Sequence, residues 1–354
     1  MKFKNKVIIF GGAIMSRVVC FGEIMLRLSP PGYLRFNQAS SFDATYGGGE
    51  ANVAVSLANY GIDSAFVTKV PDNPIGQAAI NELRKYGVNT QFIAKGGERL
   101  GIYFLEKGAS QRPSKVVYDR ANSSIATATS QDFDWDKIFD KAEWFHFTGI
   151  TPALGVNPTI LTKEACKAAK DKGLTISCDL NYRKNLWSPQ KAGQIMGELM
   201  EYVDLCIANE EDAEKVFGIK AEDSDISGGK LSHEGYKDVA RKLIERFNFK
   251  RVAITLRGSI TASDNNWAAM LYDGNEYFFS KSYPVHIVDR VGGGDAFGGG
   301  LIYAILNQYN MQETIDFAVA ASCLKHSIEG DFNHVSINEV RNLMDGDGSG
   351  RVQR

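Results

Sequence analysis

The chain has 354 residues, of which 44% are hydrophobic and 23% charged, and a formal net charge of −2. This composition supports a large core, in one α/β domain or two smaller ones, and gives no global field that would recruit nucleic acid or an anionic membrane, so the expected partner is small. The five cysteines, Cys20, Cys166, Cys178, Cys206 and Cys323, form no C-x-x-C pair and the five histidines no H-E-x-x-H, which points to a reducing cytoplasm and leaves metal hydrolysis without ligands.

At the start, Lys2, Lys4 and Lys6 before VIIFGGAIM imitate a short signal peptide, but no convincing small-residue cleavage site follows. Residues 1–15 read as a non-native or alternative leader, with SRVVCFGEIMLRL from Ser16 as the first strand. No stretch approaches the roughly twenty apolar residues of a membrane span. The runs VVCFGEIML, SAFVTKV, WFHFTGI, LTISCDLN, LCIAN and RVAITLRG are predicted core strands. Between them, ANVAVSLANYG, GQAAINELRKYG, NPTILTKEACKAAKDKG and GYKDVARKLIERF place apolar residues at helical spacing, and Gly61, Gly87 and Gly173 supply helix stops. Strands alternating with helices predict parallel strands joined by covering helices.

Two segments break this rhythm, residues 33–46 and 91–122, where GIYFLEKG and SKVVYDRA alternate like half-exposed strands and predict a small sheet laid over the main one as a lid. Residues 220–235 read as a polar surface insertion and residues 346–354 as a polar tail.

Ligands of an open parallel sheet bind beyond the carboxyl ends of its strands, and the unusual residues collect there. YGGGEAN, residues 46–52, opens a helix with glycines, as a ligand cradle or as an ordinary turn. Asn181, Tyr182 and Arg183 follow LTISCDL, placing a guanidinium where it meets phosphate or carboxylate. Asn209, Glu210, Glu211 and Asp212 follow LCIA, either ordering waters around magnesium or simply beginning a helix.

VDRVGGGDAFGGGLIYAILN is the most informative stretch. Gly292, Gly293 and Gly294 join a strand to a helix, so main-chain N–H groups and the positive helix end favour an anion at the place where Asp295 stands. A carboxylate there repels phosphate, which makes sense if it accepts the proton of a hydroxyl being phosphorylated. The plainer reading is a tight turn with an acid stabilising the first helical turn. No G-x-x-x-x-G-K-[ST] occurs, which excludes a P-loop, and no G-x-G-x-x-G follows the first strand, which weighs against a nicotinamide dehydrogenase.

GGGEANVAVSLANYG near the start and DRVGGGD near the end, with the elements between them, resemble the ribokinase-like (PfkB-type) carbohydrate kinases over nearly the whole chain from Ser16. The combination of GIYFLEKG, VVYDRANSS, FTGITPAL and DLNYRKNLWSP is most similar to the 2-keto-3-deoxygluconate kinases of that family. The resemblance implies a ribokinase-like three-layer α/β/α fold over residues 16–345, with a mostly parallel central sheet and a small β lid. It also implies transfer of the γ-phosphate of ATP, with Mg2+, to the primary hydroxyl of 2-dehydro-3-deoxy-D-gluconate. A monovalent cation such as K+ and a homo-oligomer formed through the lid are further implications.

Carried over by motif, Asp295 is the general base and Gly292, Gly293 and Gly294 the anion hole. Gly48, Asn52, Tyr103, Tyr118, Arg120, Arg183 and Asp331 bind the sugar acid. Asn181, Arg183, Arg257 and Gly258 join the three glycines on the nucleotide side. Paired guanidinium groups suit a carboxylate better than a neutral sugar, although whether Arg183 faces carboxylate or phosphate stays open. The alternatives are a kinase of fructose, ribose or another neutral sugar, and a non-catalytic nucleotide-binding regulator on the same fold. Three departures from the family pattern stand out: GGGD replaces GAGD, Asn209-Glu210-Glu211-Asp212 ends in the shorter acid, and SITASDNNW replaces the usual glycine after the nucleotide strand.

Overall fold

The computed structural model describes residues 18–220 and 233–346. The leader expected at 1–15, residues 221–232 of the polar insertion and the tail beyond Gly346 lie outside the described residues. The strands are β1 (Val18–Phe21), β2 (Met25–Ser29), β3 (Asp43–Gly47), β4 (Ser64–Val70), β5 (Ile93–Lys95), β6 (Gly101–Glu106), β7 (Lys115–Asp119), β8 (Trp144–Thr148), β9 (Thr175–Asp179), β10 (Leu205–Asn209), β11 (Arg251–Ser259), β12 (Asp264–Tyr272), β13 (Tyr277–Phe279) and β14 (Tyr283–His286). The helices are α1 (Gly49–Asn59), α2 (Pro74–Lys85), α3 (Trp135–Ile138), α4 (Ile150–Ala153), α5 (Val156–Asp171), α6 (Pro189–Met200), α7 (Glu210–Phe217), α8 (His233–Phe247), α9 (Gly293–Leu306), α10 (Met311–Lys325) and α11 (Ile337–Asp345).

The main sheet runs β13-β12-β11-β10-β9-β8-β1-β4-β5, with β14 also paired to β12. From β5 across to β11 the strands are parallel, and the β12 to β14 end is antiparallel. Helices cover both faces. One core packs α3, α5, α6, α7 and α8 on side chains such as Phe145, Phe147, Ile176 and Cys178. The other packs α1, α2, α9, α10 and α11 on Phe66, Trp144, Ile207 and Leu271. A strand buried on both faces has no reason to alternate, and WFHFT of β8 is buried at every position. Side-chain caps fix where several helices begin: Asn73 accepts from the N–H groups of Ile75 and Gly76 ahead of α2, and Asn209 and Asp212 form a reciprocal capping box on α7. Gly61, Gly87 and Gly173 follow their helices with φ of 75°, 79° and 75°.

The sequence reading needs correction in four places. VVCFGEIML is two strands, not one, because the chain leaves the main sheet after Phe21 and enters a second sheet at Met25. That second sheet, β3-β2-β6-β7, is the lid, so β2 is a lid strand separated from β1 in sequence only by Gly22, Glu23 and Ile24. Within residues 33–46 the strand begins only at Asp43, and within 91–122 the short β5 belongs to the main sheet beside β4. Gly235, taken as the end of the polar insertion, lies inside α8.

Candidate active site

Beyond the carboxyl ends of β9, β10 and β11, roofed by the lid, lies a cleft of about 470 Å³. Of the residues singled out from sequence, Gly48, Asn52, Tyr103, Tyr118, Arg120, Asn181, Arg183, Arg257, Gly292, Gly294, Asp295 and Asp331 all line it. Gly293 and Gly258 do not; the Gly293 main chain packs against His326 and Gly258 faces Asn266 across β11 and β12.

Gly292 caps α9 at φ 82°, a left-handed conformation that disfavours a side chain, and a Cβ there would lie 2.0 Å from the carbonyl oxygen of Asp331. Asp295 follows in the first turn of the helix. Its Oδ2 accepts a 2.6 Å hydrogen bond from Asn52 Nδ2, while Asn52 Oδ1 accepts from the N–H of Gly48 at 3.2 Å. The two glycine-rich helix starts are thus joined through one amide. Burial raises the Asp295 carboxyl to about 6, with Asn52, Arg183 and Lys325 resisting the rise and Asp331 adding to it. A buried acid poised near 6 is ionised at neutral pH yet still able to take up a proton.

The lid is tied to this turn by a buried ion cluster. Arg27 of β2 donates to Asp289 Oδ2 at 2.5 Å and to Asp331 Oδ1 at 2.8 Å, and Tyr103 of β6 donates to Asp331 Oδ2 at 2.5 Å. Although burial works against its charge, Asp331 and Asp289 hold the Arg27 guanidinium firmly protonated. Both oxygens of Asp331 are therefore engaged by the protein, and its place in the cleft wall is partly architectural. Lys325, fully buried behind Gly292, is lowered by burial against the pull of Asp289 and Asp331, and its Nζ donates to the carbonyl of Ile328 at 3.1 Å.

Arg120 is also committed. Its Nε donates to Glu23 Oε2 at 2.8 Å and its Nη2 bonds the same oxygen, while Ser123 donates to Glu23 Oε1 at 2.6 Å. Only Nη1 is left to face a ligand. Arg183 is different: it is exposed at the end of β9, with a single 3.4 Å contact to its neighbour's carbonyl. Beside it Asn181 holds a left-handed φ of 38° and reaches back to Asp179. Asp179 is pushed well above the ordinary carboxylate range by burial, then by Asp212 and Asp295. Asp212 spends Oδ2 on its cap and Oδ1 on the N–H of Tyr182 at 3.0 Å. Among the described residues no three His, Cys, Asp or Glu side chains converge to hold a metal ion.

Sequence reasoning missed Glu23, Arg27, Asp179, Asp289, Arg290 and Lys325. A charge inside an apolar run was the available signal for Glu23 and Arg27, and Asp289 and Arg290 stood inside DRVGGGD without a role. Another missed acid, Glu50, is wholly buried beneath the cleft, where burial raises it to about 7 against hydrogen bonds from Thr151 and Thr148.

The family description "pfkB family carbohydrate kinase" fits residues 15–334. The crystal structure of 2-dehydro-3-deoxygluconokinase from Thermotoga maritima is similar to this chain with a TM-score of 0.90 at 55% identity, covering 94% of this chain and 98% of its own. The 2-dehydro-3-deoxygalactonokinase of Haloferax volcanii is 32% identical over 335 residues, 95% of this chain and 98% of its own. The 2-dehydro-3-deoxygluconokinase of Bacillus subtilis is 28% identical over 324 residues, 91% and 93% of the two chains. Fold, glycine turn and sequence agree over nearly the full length, and the chain belongs to the pfkB family of carbohydrate kinases.

Proposed function

We propose that this kinase transfers the γ-phosphate of ATP to the primary hydroxyl of 2-dehydro-3-deoxy-D-gluconate, giving the 6-phosphate and ADP. The carrying observation is Asp295, held by Asn52 at the mouth of the glycine turn in a cleft that also presents Arg183, Tyr118 and the edge of Arg120. In this reading Asp295 takes the hydroxyl proton as the oxygen attacks phosphorus. The N–H groups at Gly292 to Gly294 face the charge on the transferred group, and the bond to the ADP oxygen breaks. Phosphoryl transfer needs positioning and charge neutralisation more than covalent help.

Asp179 and Glu211, with Asp212, face the same cleft, and the mutual repulsion at Asp179 is what a cation would relieve. They do not converge to hold an ion by themselves, and a magnesium ion there would arrive with the nucleotide, keep its waters and neutralise phosphate charge, with Asp179 and Glu211 facing its water shell.

The Glu23–Arg120 pair favours a second reading, a neutral sugar as acceptor, because it leaves Arg183 as the guanidinium free of a bonded carboxylate on that side. A coupled assay of ADP release decides between them. It would compare 2-dehydro-3-deoxygluconate, its C4 epimer 2-dehydro-3-deoxygalactonate, fructose and ribose. Highest kcat/KM on a 2-dehydro-3-deoxy acid supports the first reading, and preference for fructose or ribose replaces it.

A homo-oligomer through the lid belongs to the same proposal. β7 is exposed along its whole length, with Val116, Val117 and Tyr118 at 42%, 53% and 41% exposure, a strand edge of the kind a second subunit covers. Sedimentation of the wild type against Val117→Lys tests it. A cytoplasmic location suits five unpaired cysteines, and no helix among the described residues is long and apolar enough to cross a membrane.

A further inference from the structure

The cleft is electrically divided. On the Asp295 side stand Asp179, Glu211, Asp212 and Asp331 with Arg183. On the other side, around the end of β11 and the loop before Gly292, the lining is Thr255, Arg257, Asn265, Trp267, Arg290 and His326, with no carboxylate.

Two guanidinium groups share this second half, and among the described residues neither is paired to an acid. Arg257 is exposed, and its side chain makes no hydrogen bond or ion pair with the described residues. Arg290 is half-buried, and its Nη2 donates to the carbonyl of Ala262 at 2.9 Å, which fixes the side chain without cancelling its charge. The neighbouring acid offers only partial relief: Asp289 favours the charge on Arg290, but it forms no ion pair with it, since its Oδ2 is spent on Arg27 and the N–H of Gly330 and its Oδ1 on the N–H of Val291. Burial and then the charge of Arg257 make Arg290 harder to keep protonated. His326 feels both arginines and, lowered to about 4 chiefly by burial, stays neutral. Like charges brought together in a walled cleft, neither of them in an ion pair among the described residues, are most readily explained by an anion that belongs between them.

The glycine turn and Asp295 already define where the transferred phosphoryl group sits, and Arg183 is the arginine whose charge reaches Asp295. Arg257 and Arg290 do not figure in the electrostatics of Asp295 and lie toward the β11–β12 loop. This is the place where SITASDNNW departs from the family's glycine-lined nucleotide contact. Planar guanidinium forks match adjacent phosphate groups better than a sugar hydroxyl does.

We propose that Arg257 and Arg290 clamp the non-transferred phosphates of the nucleotide, so that this chain recognises its donor by the charge of a diphosphate rather than by loop amides alone. This rests on the reading of the cleft as an ATP site, and the experiment separates the two. ATP and ADP binding are measured by calorimetry with Mg2+ on wild type, Arg290→Met and Arg257→Met, alongside steady-state kinetics with the sugar acid. The expected result is a rise of about ten-fold or more in KM and Kd for ATP in each variant. The KM for the sugar acid stays near that of wild type. ADP outcompetes AMP strongly in wild type and much less so in the variants, a change in preference that a merely structural role would not produce. Arg290→Lys, which keeps charge and loses the fork, falls between. Unchanged ATP binding and an unchanged ADP-to-AMP preference in both variants overturn the clamp, as does a selective rise in sugar-acid KM. A wild type that binds ATP but phosphorylates no sugar acid overturns the substrate reading and leaves the clamp to be judged on binding. A wild type that binds no ATP overturns both.

Discussion

Asn52 and Asp295, 243 positions apart, are joined by a 2.6 Å hydrogen bond that links the start of α1 to the start of α9. The N–H of Gly48 holds the amide oxygen, which turns the NH2 group toward the acid. One side chain therefore orients the carboxylate and partly offsets the rise that burial imposes on it.

Replacing Asp295 by Asn should lower kcat by about 100- to 10,000-fold while ATP affinity changes little. Steady-state kinetics and nucleotide calorimetry check this together, and near-normal turnover would remove the general-base role. The same variant should be the more heat-stable protein at high pH. The folded Asp295 is raised to about 6 from the ordinary aspartate range near 4, so its protonation favours the fold fully below the unfolded value. That contribution is lost as pH rises through about 6. At pH 8 the ionised buried acid is a burden, and Asn should relieve roughly 1–3 kcal/mol of it; at pH 4 the difference should shrink. Unfolding followed at both pH values tests the sign.

Activity should depend on pH through the same group. The acid limb of kcat/KM is expected near 6, where Asp295 loses its proton. Because Asn52 stabilises the charged form, Asn52→Ala should move that limb upward by about half a unit or more. A limb that stays in place in the variant separates the titration from Asp295.

Gly293 and His326 fit one another. A Cβ on Gly293 would lie 2.5 Å from the His326 ring, which is held by a 2.7 Å contact between its Nδ1 and the carbonyl of Ser322. GGGD in place of GAGD is thus not a neutral variation. Gly293→Ala should cost about 1–3 kcal/mol by overpacking, and His326→Ala in the same chain should recover most of it. A double-mutant cycle by thermal unfolding measures the coupling, and additive effects would show that the ring is not the obstacle.

Arg120 and Glu23 make a further test. Arg120→Met should raise KM for an acid substrate and also destabilise the fold, by about 3–5 kcal/mol, because Glu23 is left buried and unpaired. Adding Glu23→Gln should restore stability but leave the KM high. If stability and KM recover together, Arg120 acts on the substrate only through the fold.

The main sheet was legible because its strands are short apolar runs closed by glycine-stopped helices, and the glycine turn because no other residue serves at Gly292. The lid was half legible. Its β6 and β7 alternate visibly, whereas β2 follows β1 after only Gly22, Glu23 and Ile24, and that one glycine and one charge are the sole marks of the change of sheet in VVCFGEIMLRL. α10 went unnamed because FAVAASCLK is buried nearly all round and shows no helical period. The ion cluster could not be read at all, since Arg27, Tyr103, Asp289 and Asp331 come from four distant parts of the chain. Arg120 was read as a free guanidinium because its partner Glu23 lies 97 positions upstream.

The roots of the lid, Arg27 on β2 and Tyr103 on β6, are bolted to Asp289 and Asp331 beside the glycine turn. A covering sheet so fastened does not swing like a door. The margins of that sheet, β3 and β7, carry no such bolt in the ion cluster, so the part of the covering sheet held fast to the glycine turn is its middle, β2 and β6.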